Sequence, residues 1–219
     1  MQKHTGLFLL VCASLAIPAY AVPKTVITTL PFQITTPGTY VLKGDLTVPA
    51  GVNEAIQIST STSGSVILDL NGFTLTGTGT NTSVGIGIGH INGPIEPSNA
   101  YPITIRNGIL RNFVFGVFAE ISGFSNYASD ITISHLTFYT DSIQGSAGVY
   151  LQKVNSSTVK DCTFNGGTTG IVDAQSQGGN SYINDTFMNL SQPLDEVDTI
   201  ISPLVVTIGH YEFSGPPTN

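Results

Sequence analysis

Tryptophan is absent from the chain, cysteine and methionine occur twice each, and only 7 Lys and Arg stand against 14 Asp and Glu. The shortage of basic residues excludes a nucleic-acid partner, because phosphate recognition demands clustered Lys and Arg. Long apolar runs are missing as well. The run Leu7 to Leu15 is too short to cross a bilayer, which takes roughly 20 residues, and nothing later approaches it, so no transmembrane segment is expected. That run fits an export signal instead, with Lys3 before it and Ala19-Tyr20-Ala21 offering small residues to a signal peptidase. Cleavage after Ala21 would leave 198 of the 219 residues, shift the formal net charge from −7 to −8, and place the product in the periplasm or outside the cell. Lipid attachment at Cys12 is disfavoured, because Val11 stands where a small residue is needed. Cys162 is then the one cysteine of the mature chain, which rules out an internal disulfide.

Helical periodicity is also lacking, since no segment holds an apolar stripe at i, i+3, i+4 and i+7 over a useful length. What the chain has in quantity is Gly, at 24 residues, with many Thr, Ser, Asn, Ile and Val. This composition favours strands with frequent turns.

The strongest signal is internal repetition. Ile103-Thr-Ile-Arg-Asn-Gly-Ile-Leu110, Ile131-Thr-Ile-Ser-His-Leu-Thr-Phe138, Ser157-Thr-Val-Lys-Asp-Cys-Thr-Phe164 and Ser181-Tyr-Ile-Asn-Asp-Thr-Phe-Met188 align without gaps, and Leu68 to Leu75 is a looser copy. Their third residues, Leu70, Ile105, Ile133, Val159 and Ile183, are spaced by 35, 28, 26 and 24 positions. A glycine landmark follows each of the first four, at Gly85, Gly116, Gly148 and Gly170.

Alternation tells how each copy folds. Ile131 and Ile133 face one way and Thr132 the other, as a strand with one buried face requires. The polar position that follows, Asn107, His135, Asp161 or Asp185, reads as a bend, since these side chains tolerate unusual backbone angles. No single copy can bury its apolar side alone. Stacking solves this, with the third residues in one internal column and Phe138, Phe164 and Met188 in another. The expected fold is therefore all-β, a single-stranded parallel β-helix (solenoid) of about five to six coils. An antiparallel sandwich would also show short strands, but it has no reason to repeat bend chemistry in register.

The segments ITIRNGIL, ITISHLTF with GVYL, and STVKDCTF with GIVD resemble the coils of right-handed parallel β-helix proteins of the pectate-lyase-like superfamily. The likeness spans about residues 64 to 190, and Pro31 to Leu46 resembles the opening segment of bacterial β-helix repeat proteins. The expected organisation is a signal peptide at 1–21, an N-terminal cap and first coil at 22–63, coils at 64–202, and a capping strand and tail at 203–219. Both caps are expected to be β segments that shield the open edges of the stack.

The resemblance implies a carbohydrate groove along the sheet that holds the strands after the glycine landmarks. Alternation then turns Phe118 and Tyr150 outward on neighbouring coils about 4.8 Å apart, a flat platform for sugar rings. His90 and Gln152 complete the candidate ligand-binding set, and Glu120, Asp173 and Lys153 are the candidate catalytic groups. Family lyases combine calcium-holding carboxylates with a base, which makes calcium a conditional cofactor; this chain lacks the full constellation, and no cofactor is expected otherwise. His135, Asp161 and Asp185 are a weak metal set at the bend, where a polar ladder between coils is the simpler reading. The expected function is an exported module that binds polysaccharide or a cell-surface glycan without strong catalysis. A polysaccharide lyase or glycoside hydrolase is the alternative.

Overall fold

The computed structural model describes residues 23–60, 64–79, 83–89, 101–120, 128–140, 145–174, 179–197 and 205–212. The leader at 1–21, His90 and the tail from Gly215 lie outside them. All regular structure among the described residues is strand. In chain order these are β1 (Lys24–Ile27), β2 (Phe32–Ile34), β3 (Gly38–Leu42), β4 (Leu46–Thr47), β5 (Glu54–Ile58), β6 (Val66–Asp69) and β7 (Thr74–Thr76). There follow β8 (Val84–Ile88), β9 (Ile103–Arg111), β10 (Phe115–Glu120), β11 (Ala128–Ser129), β12 (Ile131–Tyr139), β13 (Ala147–Gln152) and β14 (Val154–Asn155). The last six are β15 (Thr158–Lys160), β16 (Thr163–Asn165), β17 (Thr169–Ala174), β18 (Ser181–Met188), β19 (Gln192–Val197) and β20 (Val205–Glu212).

Every pairing among them is parallel, which excludes the antiparallel sandwich. One sheet of 11 strands runs β1, β3, β6, β9, β12, β15, β18, β20, with β4, β7 and β16 continuing its rows beyond a bend. A second sheet of 7 strands runs β2, β5, β8, β10, β13, β17, β19, and β11 pairs with β14 alone. Strand numbers rise steadily along both large sheets, because the chain visits them by turns. Parallel neighbours need such a crossover between them.

The interior is filled by columns of like residues, each contributing about 1.5–3 kcal/mol by leaving water. Leu68, Ile105, Ile133, Val159 and Tyr182 stand in register in the first sheet. The sequence-based column is thus corrected at both ends. At the front, Leu68 replaces Leu70, because two extra residues sit between Asp69 and Thr74 relative to their partners Arg106 and Ile109; Leu70 packs over Gly108, where a Cβ would overlap it. At the back, Tyr182 replaces Ile183, which is 38 % exposed. The same slip puts Phe187, and not Met188, on Phe164. Phe138, Phe164 and Phe187 form a ladder with centroids 4.8 and 5.0 Å apart and nearly parallel rings. That spacing is the distance between paired strands.

The ladder explains the glycine landmark. A Cβ at Gly116, Gly148 or Gly170 would strike the ring of Phe138, Phe164 or Phe187 respectively, so only glycine lets the second sheet close against these rings. The bends behave as their residue types suggest. Asn71, Asn107, His135, Asp161 and Asn184 all have φ between 54° and 59°, the left-handed region that Asn, Asp and His tolerate best. Asn184 therefore makes the last bend, and Asp185 does not.

Candidate functional site

The outward row of the second sheet holds Gln57, Gly87, Phe118, Tyr150, Val172 and Asp195 in register. The inward neighbours Val117, Val149 and Ile171 are fully buried, which leaves Phe118 and Tyr150 facing out. Their rings stack at 5.1 Å with 23° between the planes, close to the expected separation. A third ring joins them. Phe115 lies 5.0 Å from Phe118 and 5.2 Å from Tyr150, and with Ala147, Val172 and Ala174 it makes a small apolar cluster apart from the main core. All three rings are half-buried.

Carboxyl groups border this cluster. Glu54, on β5, leans across β8 so that its carboxyl fills the space a side chain at Gly87 would need, next in register to Phe118. Burial pushes this carboxyl up to about 7, because an apolar setting penalises its charged form. Its Oε1 is buried with no hydrogen-bond partner among the described residues. The Tyr150 phenol is raised above its ordinary value, first by burial and then by the negative charges of Glu120 and Asp195. Gln152 sits beside Glu120 in register, and Lys153 follows in a left-handed conformation with φ 56°.

Asp173 is the main correction among the candidate groups. It continues the inward column of Ala119 and Leu151, is 1 % exposed, and faces the core rather than the outer face. Its Oδ2 accepts hydrogen bonds from Tyr182 OH at 2.7 Å and Asn180 Nδ2 at 3.1 Å. Glu120 and Asp173 therefore lie on opposite faces of the sheet and cannot flank one glycosidic bond, as paired hydrolytic acids must.

The bend residues also separate. His135 Nε2 lies 3.9 Å from Asp161 Oδ2, and Asn184 Nδ2 donates to Asp161 Oδ1 at 2.9 Å, a ladder between successive strands. At the first bend Arg106 Nε reaches Asp69 Oδ2 at 3.0 Å. Asp185 has turned inward below Cys162, so it does not join His135 and Asp161; its Oδ1 accepts from Cys162 N at 2.8 Å. Among the described residues no three His, Cys, Asp or Glu side chains converge on a metal position. Nor, among those residues, is any helix long and apolar enough to cross a membrane.

Sequence reasoning missed Glu54, Phe115 and Asp195. Glu54-Ala-Ile-Gln-Ile58 aligns without a gap on Val84-Gly-Ile-Gly-Ile88, a match that would have found Glu54 and its row. No family model, curated protein or solved structure matches the chain.

Proposed function

We propose that this chain is an exported, single-stranded right-handed parallel β-helix of the pectate-lyase-like class, which binds polysaccharide along the outer face of its second sheet. The stacked rings of Phe118 and Tyr150, extended by Phe115, carry the reading. Flat aromatic surface held rigidly on paired strands suits the apolar faces of sugar rings, and the row continues on both sides through Gly87 and Val172. Alternate visits to two parallel sheets support the helix, and the pattern of residues 1–21 supports export through a signal peptide. Binding without strong catalysis is favoured over hydrolysis, since the expected acid pair is split by the inward turn of Asp173.

The test is retention of the purified protein on insoluble or gel-embedded polysaccharides, with new reducing or unsaturated ends measured in the same incubation. The reading expects retention without cleavage, lost in Phe118→Ala/Tyr150→Ala. Cleavage that disappears in Glu120→Gln would replace it with the enzyme reading, and retention that survives the double substitution would move the site elsewhere.

A further inference from the structure

We infer that the glycan held on this face carries ammonium groups: an amino-sugar polymer, not an acidic one. The inference rests on the aromatic platform as the binding face and adds the chemistry of its border. Glu54 stands at one end of the ring cluster, Asp195 lies at the other, and Glu120 runs alongside. Four strand steps separate Gly87, under the Glu54 carboxyl, from Asp195, roughly 19 Å along the stack. Carboxyl groups therefore bracket a length of several sugar units and do not form a single acidic spot.

Basic residues are placed elsewhere. Lys24, Arg106, Arg111 and Lys160 all belong to strands of the first sheet, and Lys43 follows β3 in the same sheet. Lys153 is the one basic side chain at the edge of this face among the described residues. A polyanion would meet the carboxylates of Glu120 and Asp195 and a net negative protein, whereas an ammonium group gains charge-assisted hydrogen bonds to carboxylates. It also gains attraction to the faces of Phe115, Phe118 and Tyr150.

Three polymers separate the cases: poly-glucosamine with most amino groups free, the same polymer fully N-acetylated, and polygalacturonate. Affinity electrophoresis at moderate salt should show retention by the free-amine polymer at least ~10-fold stronger than by its acetylated form, with none by polygalacturonate; such a ratio matches one charge-assisted hydrogen bond. Glu120→Gln/Asp195→Asn should close most of that gap, while Asp161→Asn, which removes a charge from the first sheet, should leave it. Equal retention by free and acetylated polymers, or stronger retention by polygalacturonate, overturns the inference and leaves the platform standing. Retention by the free-amine polymer that survives Phe118→Ala/Tyr150→Ala would be general charge attraction and overturns it too. Absence of retention on every glycan would remove the platform reading itself.

Discussion

The hydroxyl of Tyr182 donates to Oδ2 of Asp173 across the interior at 2.7 Å, joining the first sheet to the second. Tyr182 is 2 % and Asp173 1 % exposed, and both stand in columns that are otherwise apolar. Asn180 completes the cluster, donating to Asp173 and to the Val154 carbonyl, and accepting from Ser157 N.

Tyr182→Phe should therefore cost about 1–3 kcal/mol, since it deletes one buried hydrogen bond and leaves the ring in place. Urea unfolding with an unchanged m-value is the measurement. Asp173→Leu in the same background should cost less than it does alone, because its partner hydroxyl is already gone. Additive costs would show that the two groups act independently.

The slip at residues 181–188 shows what the sequence could not decide. Tyr182 and Ile183 are both apolar enough for the core, and Asn184 and Asp185 both suit a bend, so the gapless alignment was one residue off. The choice rests on distant partners: Phe187 continues the ring ladder, and Tyr182 reaches Asp173. By contrast, the bends at Asn107, His135 and Asp161 were legible, because their left-handed angles depend on local chemistry. The Phe118 and Tyr150 pair was legible from alternation alone. The row of Glu54 was legible in its match to Val84–Ile88, but the lean of its carboxyl over Gly87, next to Phe118, was not, as it depends on how the side chain packs across β8.

Gly148 should tolerate no side chain. Its added methyl would collide with the Phe164 ring on one side and approach the Gly170 carbonyl to 3.0 Å on the other. Gly148→Ala should lose about 1–3 kcal/mol or more through overpacking. Phe164→Leu should recover part of that loss in the double variant, although alone it also destabilises. Thermal unfolding of the two singles and the double closes the cycle, and purely additive losses would refute the contact.

Asp185 supplies a pH dependence. Burial raises its carboxyl to about 7, a rise the nearby Asp161 charge adds to and the hydrogen bonds from backbone amides oppose. The folded protein holds the proton more tightly than the unfolded chain, so the sign is clear: this contribution to stability is complete below about pH 4 and is lost as pH rises toward 7. Asp185→Asn keeps an acceptor for Cys162 N and cannot ionise. Its melting temperature should exceed that of the parent at pH 8 and the difference should shrink on going to pH 4. Glu54→Gln should show the same trend, since burial also lifts Glu54 to about 7. A difference independent of pH would mean that neither carboxyl is held neutral by the fold.

Tyr150 reports on the binding face without any ligand. Burial, Glu120 and Asp195 all raise its phenol above the ordinary value, so it should ionise later than an exposed tyrosine when pH is increased. Tyr150→Phe identifies its step in an alkaline absorbance titration. Glu120→Gln and Asp195→Asn should each move that step toward lower pH, because removing a negative neighbour makes the phenolate less costly. Added salt should shrink both effects, as screening weakens interactions between partly exposed charges. Glu120 is the larger of the two influences, so its substitution should shift the step further. Were neither substitution to move it, these carboxyl groups would lie too far from the ring to hold an ammonium group against it, and the amino-sugar inference would lose its geometric basis before any polymer was tried.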